Sequence, residues 1–499
     1  MKIVQLIKTL TNKIKENQSS DSEMALDLVE IGNDELFLVF EKGKNASENL
    51  PLEINSKMLY RDIIRLAWPA FVELILTQLT SMADLIMVGQ LGPWAIASVG
   101  LSTQPKLLLT TMFMAMNVGA TALVARYKGA DDYYKANMVL KQALFLTFIL
   151  SIISSIIGYI YSEPLIRFMG ASDPETLAGG TSYLKIQMIG FVFMGLTTTI
   201  TATLRGVGNS WSAMIYNATA NAVNIFLNYI LIYGHFGFPR MEVAGASLAT
   251  IISQAVAFIM AASIILKGNQ YLYLNLKEKF KPNIEYIKSI FNIGFPAMLE
   301  QLLMRVGVII YSKTVASLGT LAFATHQVCL NIQSLSLMNG QAFAVPATSL
   351  MGQSLGKKRP DMAHSYCTRT RRLGLMVSII IGVLFILFGE RIVALYTNDP
   401  AVIKEGARIL KLIALIQPFQ CSQLILSGAL RGAGDTMSVA IVVFITVLLV
   451  RPGIAMLNIY VLHLGLEGAW YAFMIDQLIR SFLIVLRFNS GKWKTVRIA

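Results

Sequence analysis

Eight ionisable side chains lie within stretches of the chain that are otherwise apolar and long enough to cross a membrane. A charged side chain near the centre of a bilayer costs about 3 kcal/mol on insertion scales, and such residues usually mark an ion pathway or a buried ion pair. They are Glu73, Asp84, Lys106, Glu300, Arg305, Arg451, Asp476 and Arg480. The chemistry that these residues offer is therefore ion binding and ion pairing inside a membrane.

Asp84 and a row of asparagines form the first candidate for ion binding. Asn217, Asn221, Asn224 and Asn228 follow one another at intervals that place them near one face of a helix. Carboxylate and amide oxygens are the ligands that hard cations prefer. A monovalent cation is therefore one interpretation, and hydrogen bonds between helices are the other.

Glu73 and Glu300 form the second candidate. Each follows a proline by four residues, Pro69 and Pro296 respectively. A carboxylate at this spacing can accept hydrogen bonds from donors freed near a proline kink, which would be a structural role. Contact with an ion or a substrate is the alternative, and the sequence leaves both open.

The charges near the carboxyl end of the chain favour structural pairing. Asp476 and Arg480 are spaced i, i+4 on one helix and are expected to form an ion pair. Arg451, which precedes a proline, is a candidate third member. Arg305 follows Glu300 by five residues, about 500° around a helix, so these two side chains do not share a face.

Lys106 has two interpretations. In the first, its ammonium group approaches Glu73 or Asp84 and competes with an incoming cation. In the second, it reaches towards the outer interface of the membrane.

Three uncharged polar residues are further candidates for substrate contact at membrane depth: Gln78, Gln327 and Gln417.

The composition is that of a membrane protein. Of the 499 residues 55% are hydrophobic and 14% charged, against about 25% charged in soluble domains. The net charge of +13 does not indicate nucleic-acid binding, because the basic residues lie in short loops between apolar segments. Three cysteines and four histidines show no metal or disulfide spacing. No nucleophile–base arrangement is found either, so we expect neither an enzyme nor a bound cofactor.

Twelve segments are long and apolar enough to span about 30 Å of hydrocarbon. Backbone groups in lipid must be hydrogen-bonded within their own segment, which predicts helices. The predicted spans are approximately 63–88, 95–125, 142–162, 183–204, 210–233, 243–266, 289–312, 318–350, 373–390, 405–430, 436–461 and 466–487.

The loops predict the orientation of these spans. Lys and Arg concentrate in the loops after even-numbered spans, which places both termini in the cytosol of a cell whose plasma (inner) membrane holds the protein. Residues 1–60 read as a polar cytosolic tail, 61–266 as an N-lobe, 267–288 as a cytosolic linker, 289–487 as a C-lobe and 488–499 as a cytosolic tail.

The chain contains an internal repeat. Pro69 and Glu73 match Pro296 and Glu300 at an offset of 227 residues, and the run from Leu204 to Gly208 matches the run from Leu430 to Gly434 at an offset of 226. Six spans per repeat is an even number, so both halves have the same orientation and the pseudo-two-fold axis lies along the membrane normal. The repeat therefore predicts an all-α membrane protein of twelve helices in two six-helix lobes. This architecture is typical of secondary transporters. Tyr311 occupies the position equivalent to Asp84, which favours ion coupling in the N-lobe.

Four motifs resemble those of the multidrug and toxic compound extrusion (MATE) family, in its bacterial form. They are Pro-x-x-x-Glu followed by the run from Ala83 to Gly89, the run from Ala324 to Gln327 with the run from Asn331 to Ser336, the run from Leu350 to Gly356, and the run from Ser427 to Asp435. The resemblance covers residues 60–487. It implies a V-shaped pair of lobes that exports small amphiphilic organic cations in exchange for Na⁺ or H⁺.

The resemblance also assigns an N-lobe cation site to Asp84, Asn224 and Asn228. Many members of the family have Asp where this chain has Asn228, so one negative charge is missing and the choice of ion stays open. We expect a monomer in the lipid bilayer. The alternatives are a lipid-linked sugar flippase of related fold, which would show more helices or a strongly cationic cavity, and a receptor or scaffold without transport.

Overall fold

The computed structural model describes residues 56–171, 173–268, 271–275, 277 and 280–496, and these residues form helices and connecting turns. Most of the predicted tail 1–60 and the last three residues lie outside them. The N-lobe helices are α1 (Ser56–Gly89), α2 (Pro93–Gly129), α3 (Tyr133–Ile160), α4 (Ser162–Phe168), α5 (Pro174–Ile189), α6 (Phe191–Gly206), α7 (Ser210–Tyr233) and α8 (Glu242–Leu266). The C-lobe helices are α9 (Ile284–Ala316), α10 (Thr320–Gly356), α11 (Pro360–Ala394), α12 (Pro400–Ala433), α13 (Thr436–Val443), α14 (Arg451–Met456) and α15 (Gly465–Asn489).

The described helices supply twelve spans. Nine are long and apolar enough to cross a membrane, and the bent pair α5–α6 makes a tenth. The other two are α7 and α10, of 24 and 37 residues, or about 36 Å and 56 Å at 1.5 Å per residue. Both are less apolar because they contain several amide and hydroxyl side chains.

The fourth span is broken, where the sequence predicts one continuous helix over 183–204. Helices α5 and α6 meet at Gly190 with a bend of 52°. A Cβ atom at Gly190 would lie 2.5 Å from Ile251 Cγ1, so only glycine allows α8 to approach the break this closely.

The eleventh span bends by changing its helical pitch. It runs over Thr436–Val461 and contains π-helical turns at Phe444–Val450 and Leu457–Val461 on either side of α14. Pro452, the second residue of α14, cannot donate a backbone hydrogen bond, and in an α-helix its ring would clash with the carbonyl group four residues earlier. The wider π-helical turns relieve this clash.

The two lobes contact each other closely where the carboxyl ends of α2 and α10 cross. A Cβ atom at Gly129 would overlap the backbone oxygen of Gln353, and one at Gly356 would overlap the backbone oxygen of Arg126. Gly129 and Gly356 are equivalent positions of the repeat, so the two contacts are related by its symmetry. Gln353 Nε2 also donates to the Gly206 oxygen at 2.8 Å.

Candidate functional site

A cavity of about 1330 Å³ lies between the lobes. Its N-lobe wall comes from α1, α2, α5, α6, α7 and α8, and its C-lobe wall from α9, α10 and α12. Arg205 and Arg431 line it near the crossing of α2 and α10, whereas Val88 and Ile96 line it near the α1–α2 turn. The cavity therefore follows the second half of α1, from Glu73 to Val88.

Asp84 lines the N-lobe part of this cavity and meets the fully buried Asn228, as the asparagine row of α7 predicts. Asn228 Nδ2 donates to Asp84 Oδ1 at 2.5 Å and to Asn224 Oδ1 at 3.3 Å. Asn224 Nδ2 reaches Thr250 Oγ1 at 3.5 Å. The three predicted residues thus form one polar cluster, which Thr250 of α8 extends.

One oxygen of this cluster lacks a partner. Asn228 is fully buried, and its Oδ1 atom accepts no hydrogen bond from the described residues. A buried, unsatisfied carbonyl oxygen is costly, and a cation or a proton donor beside it would remove that cost. The donor set of carboxylate, amide and hydroxyl oxygens fits Na⁺ as well as a protonated carboxyl group.

Lys106 points into the N-lobe instead of towards the outer interface. Its Nζ donates to Gln187 Oε1 at 2.7 Å, and Gln187 is buried. Lys106 and Asp84 both line the cavity, although the described residues contain no direct ion pair between them. Lys106 is thus a cation held near the cluster without occupying it.

Glu73 and Glu300 form equivalent ion pairs in the two lobes. Glu73 Oε2 lies 2.7 Å from Arg205 Nη2, and Glu73 Oε1 accepts from Asn217 Nδ2 at 2.8 Å. Glu300 pairs with Arg431 through both carboxylate oxygens. Each arginine lies in the repeated Leu-Arg-Gly motif, at the carboxyl end of α6 or α12. The structure thus gives both carboxylates a structural partner within the cavity wall.

The cavity wall carries three acidic and three basic residues. They are Glu73, Asp84, Glu300, Lys106, Arg205 and Arg431. Two of the three acids are in direct ion pairs. The wall is therefore close to neutral overall, and Asp84 is the acid of the wall that has no direct cationic partner among the described residues.

Asp476 joins two arginines in the core of the C-lobe. Arg451 Nε donates to Asp476 Oδ2 at 3.0 Å, and Arg480 Nη2 donates to Asp476 Oδ1 at 2.6 Å. All three side chains are buried. Tyr311, the counterpart of Asp84, donates its hydroxyl to the Ala469 oxygen at 2.9 Å. The C-lobe core is thus held by a charge cluster whose members are not among the residues that line the cavity.

The structure places four of the other candidate residues outside the cavity wall. Gln78, Gln327 and Gln417 are absent from the residues that line the cavity. Gln417 is buried and donates to Ser336 Oγ at 2.5 Å, whereas Gln327 is exposed. Arg305 is exposed on α9 and pairs with none of the described acids. A membrane helix is apolar on its lipid face and on its packed face, so its sequence does not show which face a polar residue occupies.

The arrangement defines a class of protein: a two-lobed, multi-pass membrane protein with a polar cavity between repeated halves, as in secondary transporters. The MatE family model matches residues 69–230 and 296–457, two segments offset by 227 residues. The chain therefore belongs to the MATE family of multidrug efflux transporters, and the internal repeat is confirmed.

Related proteins span nearly the same length. The probable multidrug resistance protein NorM of Thermotoga maritima is 31% identical over 434 residues, which are 87% of this chain and 93% of NorM. The multidrug resistance protein MdtK of Yersinia pestis is 27% identical over 86% of this chain and 94% of MdtK. A crystal structure of MATE in the bent conformation aligns with a TM-score of 0.81 at 24% identity, over 87% of this chain and 95% of that one. The fold of twelve spans in two lobes is thus shared.

Proposed function

We propose that this transporter exports amphiphilic organic cations in exchange for Na⁺ or H⁺, and that Asp84, Asn224 and Asn228 bind the coupling ion. The unsatisfied Asn228 Oδ1 atom beside the Asp84 carboxylate is the observation that carries the proposal. Na⁺ would take the oxygens of all three side chains. A proton would go to Asp84, and the Asn228 amide can turn to accept from the resulting hydroxyl, because it carries both a donor and an acceptor.

Exchange follows if the ion and the substrate cation compete for one negative charge. Asp84 lines the same cavity that would hold the substrate. When the coupling ion neutralises the carboxylate, the cavity retains a positive balance from Lys106 and repels a cationic substrate. Release of substrate is thus linked to uptake of the ion, which is what antiport requires.

The state described here is open to the outside in this proposal. The basic residues in the loops support an orientation in which the α2–α10 crossing and both termini lie on the cytosolic side of the inner membrane. The glycine contacts close the cavity at that crossing, where Arg205 and Arg431 lie. Alternating access then needs these contacts to separate as one lobe rocks against the other.

Dye efflux from vesicles with imposed gradients tests the proposal. The purified protein is reconstituted with a fluorescent organic cation inside, and a Na⁺ gradient or a pH gradient is imposed separately. We expect efflux to follow one gradient and to stop when that gradient is collapsed. Efflux that ignores both gradients would refute antiport.

The alternative is a lipid-linked sugar flippase of related fold, although the near-neutral cavity lacks the strongly cationic wall expected of such a flippase. The same vesicles, loaded with a fluorescent short-chain lipid phosphate, distinguish the two. Flipping of this lipid without dye efflux would assign the protein to that class, while dye efflux alone supports cation export.

A further inference from the structure

Gln187 of α5 lies behind the cavity wall and contacts Lys106, which belongs to that wall. Gln187 is buried and is not among the residues that line the cavity. Its Oε1 atom accepts from Lys106 Nζ at 2.7 Å, and its Nε2 atom donates to the Ser247 oxygen of α8 at 3.4 Å. Both ends of the amide are therefore in use, and Gln187 can act on a cation in the cavity only through Lys106.

The two partners fix the orientation of the Gln187 amide. An ammonium group only donates hydrogen bonds, and a backbone carbonyl group only accepts them. With its Nε2 atom turned to the Ser247 carbonyl group, the side chain presents its oxygen to Lys106. A neutral amide holds an ammonium group without cancelling its charge, whereas a carboxylate in the same place would cancel it. The positive charge of Lys106 is thus fixed in the cavity wall and stays uncompensated by its partner.

Gln187 is itself held in place by the packing of α5 against α8. Ser247 is fully buried and donates its hydroxyl to the oxygen of Tyr183, one turn before Gln187, at 2.9 Å. Three residues after Gln187, the break at Gly190 lies against Ile251 of the same helix α8. The end of α5 is therefore fixed to α8 on both sides of Gln187. A side chain on such a rigid support has a defined position.

One turn of α8 connects this arrangement to the Asp84 cluster. Thr250 follows Ser247 by three residues, about 4.5 Å along the helix axis, and its hydroxyl oxygen lies 3.5 Å from Asn224 Nδ2. Lys106 and Asp84 line the same cavity, and neither forms a direct ion pair within the described part of the chain. A lysine released from its amide partner therefore has an unpaired carboxylate in the same wall.

We propose that Gln187 is a positioning residue that holds Lys106 away from Asp84. The Asp84 carboxylate then stays free for the coupling ion or the substrate cation. The fixed charge of Lys106 lowers the affinity for either cation by repulsion and so favours release. The inference rests on the cation site proposed above, and it adds a residue that sets the affinity of this site without touching the cation.

Two variants that nearly keep the shape of Gln187 separate positioning from packing. Gln187→Met removes the acceptor, so Lys106 turns to Asp84, and we expect the affinity for a cationic dye to fall about tenfold. Gln187→Glu cancels the charge of Lys106 in place, and we expect the affinity to rise about tenfold. Fluorescence titration of the purified full chain measures both. A residue that only packs would shift the affinity in one direction, because both variants disturb the same packing.

A second background and a matched control complete the test. Gln187→Met should leave the dye affinity of Lys106→Leu unchanged, because the amide then has no lysine to hold. Gln420→Met is the control. Gln420 is a buried glutamine that accepts from Gln333 Nε2 at 3.4 Å and is not among the residues that line the cavity. This variant should bind the dye as the wild type does.

The possible results distinguish the positioning role from the proposed function. Affinity shifts of the same sign in both Gln187 variants, or no shift in either, would overturn the positioning role. An equal effect of Gln187→Met with and without Lys106 would overturn it as well. In each of these cases, dye binding by the wild type still supports the cation site. A wild type that binds no cationic dye would overturn the proposed function and this inference together.

Discussion

The Glu73 carboxylate lies 2.7 Å from the Arg205 guanidinium in the N-lobe, and the repeat places Glu300 against Arg431 in the same way in the C-lobe. In each pair the glutamate lies four residues after the proline of the first or seventh span. Its arginine partner lies at the carboxyl end of the fourth or tenth span. Both pairs line the cavity. Their recurrence in both lobes indicates that they hold the cavity wall together.

Glu300→Gln should destabilise the protein. The Glu300 side chain is 4% exposed and that of Arg431 is 20% exposed, so the change leaves a largely buried guanidinium without its carboxylate. We expect a loss of about 3 kcal/mol, at the lower end of the range for such pairs. Thermal unfolding in detergent measures it. Glu300→Gln/Arg431→Gln should recover part of the loss, and additive effects of the two changes would contradict the pairing.

Gly129→Ala and Gly356→Ala should open the α2–α10 crossing. Each added methyl group overlaps a backbone oxygen of the other lobe, at a cost of about 1–3 kcal/mol. Spin labels on the two lobes at the predicted cytosolic face should therefore show longer distances. Gly453→Ala is the control, because a Cβ atom there meets nothing within 4 Å. Unchanged distances in both crossing variants would refute a closed contact at these glycines.

Lys106→Leu should raise the affinity for a cationic substrate. The change removes a positive charge from the cavity wall that also carries Asp84, and a gain of about tenfold corresponds to 1.4 kcal/mol. Efflux should also depend less steeply on pH. Fluorescence titration with a dye cation measures the affinity, and Lys185→Leu is the matched control because Lys185 lies over the Tyr159 ring. An unchanged or lower affinity would show that Lys106 does not compete with substrate.

Asn228→Asp should change the ion dependence of transport. It places a second carboxylate beside Asp84, where the Asn228 amide now donates a hydrogen bond. Two carboxylates at this distance cannot both be ionised readily, so one of them holds a proton or the pair holds a cation. Efflux measured across a series of pH and Na⁺ values should shift relative to wild type. Identical profiles would place the coupling ion elsewhere.

The spans and the repeat could be predicted because they depend on patterns along the chain. Apolar length identifies a span, and the offset of Pro69 to Pro296 is the same 227 residues that separate the two segments matched by the family model. The spacing of the asparagines also placed Asn228 on the face of α7 that meets Asp84. These signals are local, or repeat at a fixed distance.

The partners of the cavity charges could not be predicted, because they depend on how the helices pack. Arg205 and Arg431 read as loop residues that set orientation, yet their guanidinium groups reach back to Glu73 and Glu300. The matched Leu-Arg-Gly motifs were a signal for this pairing. For Gln187, the partner of Lys106, the sequence holds no comparable signal.

The most direct test of the coupling site is gradient-driven efflux by Asp84→Asn. Asp131→Asn is the matched control, since Asp131 is exposed in the α2–α3 turn with φ 56°, a conformation that asparagine adopts readily. Both variants are reconstituted in vesicles at equal density and orientation. We predict that Asp84→Asn loses ion-driven dye efflux to the level of empty vesicles while Asp131→Asn retains it. Undiminished efflux by Asp84→Asn would contradict the account and move coupling to Glu73 or Glu300.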